Sequence, residues 1–140
     1  MLLSRLEEMN LIMKSKYVLD ASALLVLINE ERGHEEVAHY LPEACISAVN
    51  LSEVISILHG TSMPNKEIKQ LMKELIHSVV PFDEIHAYQT AQLRSLTKEK
   101  GLSLGDRACM ALGKIKNISV VTADKIWKSL EIDLEIILVR

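Results

Sequence analysis

A chain of 140 residues, 49% apolar and 25% charged, is long enough to bury one core and too evenly mixed to be disordered. Aromatics make up only 4%, which implies an aliphatic core, and no apolar run approaches the roughly 18 residues of a membrane span. A net charge of −3 does not mark a globally basic nucleic-acid binder, and the lone thiols Cys45 and Cys109, with no CxxC, argue against a disulfide framework or a zinc cluster and suit a reducing cytoplasm.

Along the chain, residues 1–13 do not read as a secretory signal, because Glu7 and Glu8 interrupt the only apolar stretch. Leu2, Leu3, Leu6 and Met9 fall near one helical face, so the segment reads either as an added helix or as sequence upstream of a start at Met13. A short strand is expected at 17–19 and a helix at 21–29, then a polar stretch broken by Gly33. A second helix is expected at 35–41, stopped by Pro42, and a strand at 44–47. Leu51, Val54, Ile55 and Leu58 sit at i, i+3, i+4 and i+7 and predict a helix over 49–58. A helix over 64–75 accepts Pro64 in its first turn. A strand at 78–81 follows, then one long helix over 83–100 closed by Gly101. The remainder reads as a helix at 105–116, a strand at 119–122, a short helix at 125–130 and a last strand at 135–139. Strands and helices therefore alternate throughout 1–140, which is expected to be a single domain. The pattern predicts an α/β chain with a parallel sheet covered on both faces.

Four acids stand where an apolar run gives way to a helix-like segment: Asp20, Glu53, Asp106 and Asp124. In an alternating α/β chain such positions gather in the crevice outside the carboxyl ends of the strands. Carboxylates collected there would repel one another, and a hard cation such as Mg²⁺ or Mn²⁺ would remove that repulsion. Each acid also has a simpler explanation. Asp20 and Asp124 are placed as N-caps, and Asn50–Glu53 and Ser103–Asp106 have capping-box spacing. The set argues for chemistry, since caps alone do not require Asp three times in four. Ser22 and Thr122 are placed to hold a metal-bound water or a phosphate oxygen, and Asn50 to orient Glu53. Residues 94–128 hold eight cations and three acids, a net +5, which is either a solvated face or a phosphate-attracting one. The five histidines form no HExxH pair. GxGxxG, GxxxxGK[ST] and GxSxG are absent, and position 22 is Ser where haloacid-dehalogenase phosphatases need Asp. The residues thus point to metal-dependent phosphoryl transfer.

YVLDASALL, NLSEV, LSLGDRACMALG and VVTADKIW, in this order, resemble the PIN domain family in its VapC-like toxin ribonuclease branch. The resemblance covers nearly the whole chain from Tyr17 to Val139, with no departure at any of the four acids. It implies a three-layer α/β/α sandwich with a central parallel sheet and Mg²⁺- or Mn²⁺-dependent cleavage of RNA. It implies that Asp20, Glu53, Asp106 and Asp124 form the catalytic and metal-binding set, with Asp20 and Asp106 as direct ligands. Arg107 and Lys125 are then candidates for contact with the RNA backbone. A homodimer is expected, through apolar positions on 35–41 and 68–75, as is a small antitoxin partner. The alternatives are a DNA- or flap-directed nuclease on the same site and a non-catalytic α/β interaction module.

Overall fold

The structure, a computed structural model, describes residues 2, 4, 5 and 14–140. The stripe expected in 1–13 rests on Leu3, Leu6 and Met9, which lie outside the described residues.

The strands are β1 (Tyr17–Leu19), β2 (Ala44–Ser47), β3 (Val79–Val80), β4 (Ser119–Thr122) and β5 (Ile136–Leu138). They form one sheet in the order β3-β2-β1-β4-β5. Every pairing is parallel, with Val18 opposite both Cys45 and Val120. The seven α-helices among the described residues are α1 (Ala21–Ile28), α2 (His34–Tyr40), α3 (Ala48–His59), α4 (Asn65–Leu75), α5 (Glu84–Gln92), α6 (Arg94–Thr97) and α7 (Leu104–Lys116). None is long and apolar enough to cross a membrane.

Side chains alternate across a strand, so each strand feeds two cores. Leu19, Ile46 and Val121 pack under α1–α4, together with Leu24, Val37, Val54 and Ile68. Val18, Cys45 and Val120 face the other way, onto Cys109 to Leu112 of α7 and onto the fully buried Trp127. The result is the expected three-layer α/β/α sandwich.

Three local expectations are corrected. The long helix over 83–100 breaks at Leu93. Thr97 donates its hydroxyl to the carbonyl oxygen of Leu93 (2.9 Å), a back-bond that bends a helix, and the chain passes through α6 and a 3-10 turn, Lys98–Lys100, before Gly101 closes it at φ +69°. Asn50 and Glu53 do not form a capping box, because Ser47 caps α3 and places Asn50 inside the helix. The apolar positions expected to await a partner on 35–41 and 68–75 are largely covered within the domain, since Val37, Ile68 and Met72 are buried. Large apolar side chains lie exposed instead at Ile57, Ile85, Tyr88, Leu96 and Leu104.

Candidate active site

β2 and β3 extend from one side of β1, and β4 and β5 from the other. The strand order therefore reverses between β1 and β4, and a crevice opens at their carboxyl ends. Asp20 immediately follows β1 there and caps α1. It is only 3% exposed, which is unusual for a carboxylate with no cation beside it. Its Oδ1 accepts from the Ala23 N–H (2.8 Å) and its Oδ2 from the Thr122 hydroxyl (2.6 Å). The Ser22 hydroxyl lies 2.7 and 2.9 Å from the two oxygens. Ser22 and Thr122 accept in turn from the backbone N–H groups of Ala123 and Asp124, both at 3.0 Å. The end of β4 is thus tied to the end of β1 through two hydroxyls that pass polarity on to one carboxylate. Both hydroxyls, expected to hold a metal-bound water or a phosphate oxygen, donate here to Asp20.

Burial pushes Asp20 up to about 6 from an ordinary 3.8, against the pull of these hydrogen bonds, and the charge of Asp106 adds to the rise. Asp106 lies in the first turn of α7. Its Oδ2 accepts from the Ser103 N–H (2.8 Å) and hydroxyl (3.0 Å), and its own N–H donates to the Ser103 oxygen (3.2 Å), so the expected capping box is formed. Glu53, in the second turn of α3, accepts on Oε1 from the Asn50 side-chain amide (2.9 Å). The same amide donates to the Gly105 carbonyl (2.9 Å) and joins α3 to α7. Both neighbours are acceptors, which fixes the amide's orientation. A Cβ on Gly105 would overlap the Glu53 carboxylate, so any side chain there would turn the flexible end of Glu53 aside. Sequence reasoning did not single out Gly105, since one glycine in GLSLGD looks like any loop residue.

The Cys109 thiol is pushed well above its ordinary range by burial, and the charges of Asp20, Cys45, Asp106 and Glu53 push it further. Asp124 is linked differently. Its backbone reaches the network through Thr122, while its carboxylate caps the 3-10 turn Lys125–Ser129 by accepting from the Ile126 N–H (3.0 Å). Arg107 donates to the Leu102 carbonyl (3.4 Å), and Lys125 is exposed.

Among the described residues, no three His, Cys, Asp or Glu side chains are gathered closely enough to enclose an ion. Asp106 and Asp124 are turned onto their own helix starts instead. The donor chemistry nevertheless fits a hard divalent cation. The candidate donors are all carboxylate oxygens, Asp20 is buried without a counter-charge, and Asn50 Oδ1 is buried without a donor beside Glu53.

A parallel three-layer domain with a buried carboxylate at its switch point has the build of a phosphoryl-transfer enzyme. The PIN domain family matches residues 17–132, and the chain belongs to that family of nucleases. A chain of the DNA-bound VapBC complex from Salmonella typhimurium superposes with a TM-score of 0.68 at 20% identity, over 87% of this chain and 96% of that one. VapBC2 from Rickettsia felis, bound to a promoter fragment, gives 0.67 at 16% identity, over 86% and 96%. VapC20 from Mycobacterium tuberculosis, a toxin that cleaves the sarcin–ricin loop, gives 0.62 at 12% identity, over 81% and 94%. At these identities the likeness is one of fold. No curated protein matches the sequence.

Proposed function

We propose that this PIN-domain nuclease is a Mg²⁺- or Mn²⁺-dependent endoribonuclease that serves as the toxin of a toxin–antitoxin pair. The observation that carries the reading is Asp20, buried at the switch point with, among the described residues, no cation beside it, and pushed up further by the charge of Asp106. Asp20 and Asp106 would hold the ion directly, and Glu53 and Asp124 through water. When bound, the ion lowers the pKa of a water and neutralises charge on the scissile phosphate. Ser22 and Thr122 fix both oxygens of Asp20 by donating to them. Asn50 holds Glu53 by Oε1, which leaves Oε2 as the oxygen that takes the proton of the attacking water.

RNA is favoured over DNA as substrate because the toxin VapC20, which shares the fold, acts on the sarcin–ricin loop. An antitoxin partner is supported by the VapBC complexes among the similar structures. An apolar groove between α3 and α4, lined by Leu51, Ile55, Ile68 and Met72 and rimmed by Lys69 and Lys73, offers it a seat. Homodimerisation is supported by the exposed Ile57, Ile85, Tyr88 and Leu104. A cytoplasmic site of action suits the two free, buried thiols.

The test is direct. Purified protein with Mn²⁺ should cut single-stranded RNA internally, leave DNA of the same sequence intact and stop on addition of EDTA. Asp106→Asn should slow cleavage at least ~100-fold, the scale on which an electrostatic catalytic group acts. Undiminished cleavage by that variant, or cutting that persists in EDTA, would overturn the assignment.

A further inference from the structure

The acid pocket repels nucleic acid, and the chain as a whole is at −3, so a polyanion needs a local cationic approach. The eight cations of 94–128 are not equivalent in the fold. Lys114 and Lys116 lie in the last turn of α7, at the end of that helix far from Asp106. Lys128 donates its ammonium to the Ile136 carbonyl (2.7 Å). Lys125 sits past Asp124, on the β4 side of the crevice. Arg94, Lys98 and Lys100 are exposed, and among the described residues they make no ion pair.

These three cations share one segment. α5 leaves the carboxyl end of β3, and α7 leads into the amino end of β4. Residues 94–102 must therefore carry the chain back to the sheet edge that holds the acids. Arg94, Lys98 and Lys100 follow one another along that return, with Glu99 as the only acid among them. Gly101 then turns the chain into Ser103, whose N–H and hydroxyl hold Asp106. Arg107, adjacent to Asp106, reaches back onto this turn through Leu102, and its Nε is buried without an acceptor. The row of positive charge thus ends beside a candidate catalytic carboxylate. The opposite wall differs. The groove between α3 and the start of α7 is lined by Val49, Ser52, Ser56, Ile57, Ser103 and Leu104, with Glu53 as its one charged residue, and no cation lines it.

We propose that Arg94, Lys98 and Lys100, continued by Arg107, form a track for the phosphate backbone of single-stranded RNA and deliver it to the acid pocket along the start of α7. The inference deepens the ribonuclease reading and rests on it. A single strand fits because its bases can turn toward the apolar, hydroxyl-bearing wall while its phosphates follow the cations, whereas a duplex keeps its bases stacked inside.

Binding of a short fluorescein-labelled single-stranded RNA, followed by anisotropy in EDTA so that nothing is cut, tests the track. The variant Arg94→Gln/Lys98→Gln/Lys100→Gln should bind about 10- to 100-fold more weakly at low salt. Its plot of log affinity against log salt should be shallower by about 2, since each lost phosphate contact removes about 0.7 from the slope on a single strand. Its melting temperature and stabilisation by Mn²⁺ should match the parent. Ser95→Lys, which adds a cation at an exposed position on the same segment, should tighten binding and steepen the slope. Parental affinity and slope in the triple variant, or tighter binding of a duplex of the same sequence, would overturn the track. If the parent cuts RNA and the triple variant still binds as the parent does, the track alone is wrong. If RNA binding depends on these cations but no cleavage occurs with Mn²⁺, the track stands and the ribonuclease reading falls.

Discussion

Replacing Asp20 by Asn separates a metal-binding carboxylate from a helix cap. The buried Asp20 carboxyl titrates at about 6 instead of 3.8, so the folded protein holds its proton more tightly than the unfolded chain does. With a raised folded-state value, the stabilising contribution is fully present below 3.8 and is lost as pH rises through about 6. At about 1.4 kcal/mol per pH unit, the ionised group costs the metal-free fold about 3 kcal/mol at high pH, and about 2 kcal/mol of that appears between pH 4.5 and 8. Asn cannot ionise. It keeps the N-cap bond to Ala23 but cannot accept from Thr122 with its amide, a loss of about 1 kcal/mol that does not vary with pH. The stability difference, Asp20→Asn minus parent, should therefore rise by about 2 kcal/mol from pH 4.5 to pH 8 in EDTA. That corresponds to about 6 °C in melting temperature for a domain of this size. Urea or thermal melts at the two pH values measure it, and the other titrating groups cancel in the difference. Added Mn²⁺ should then raise the parent's melting temperature and leave the variant's nearly unchanged. A difference that stays flat or falls with pH would show that Asp20 carries no desolvation penalty and refute the clustered-carboxylate argument.

Two further substitutions probe how the pocket is assembled. Gly105→Ala should leave stability within about 1 kcal/mol of the parent in urea titrations, because the Glu53 carboxylate it meets is the end of a flexible side chain and Ala favours the helix, while cleavage should fall as Glu53 is displaced. Ser103→Ala removes both bonds of the Ser103 hydroxyl but keeps the Ser103 N–H on Asp106, and should cost about 1 kcal/mol, while Mn²⁺-dependent stabilisation survives because every carboxylate remains.

Much of this architecture could be read from residue order. The strands at 17–19, 44–47 and 119–122 fall where expected because each is a short apolar run between helix signals, and a parallel sheet buried on both faces needs nothing more. The places of Asp20 and Asp124 were legible for the same reason, since one directly follows β1 and the other lies two residues past β4. Side-chain choices among competing hydrogen bonds were not legible. Thr97 could have faced solvent, yet it bonds Leu93 and splits a helix that periodicity draws as continuous. Ser22 and Thr122 carry hydroxyls suited to a ligand, but a buried carboxylate has the stronger claim on their protons. The expected partner positions were only half legible, because periodicity marks an apolar stripe without saying how much of it the domain covers: Val37 is fully buried, whereas Ile68 and Met72, though little exposed, line the groove between α3 and α4. Gly105 was invisible because its importance lies in a neighbour, Glu53, that is distant in the chain.

The segment that follows β5 has a consequence for how the hold on Asp20 is braced. The Val139 N–H donates to the Thr122 carbonyl (3.0 Å), and Thr122 is the residue that clamps Asp20. Gly33, with φ +98°, brings the backbone at the start of α2 against the Val139 carbonyl so closely that a side chain would overlap it. Asp20 and Gly33 are thus braced by the backbone at Val139, more than a hundred residues away in sequence. Any change that loosens this segment withdraws support from Thr122 at the end of β4, and so from the hydroxyl that holds Asp20.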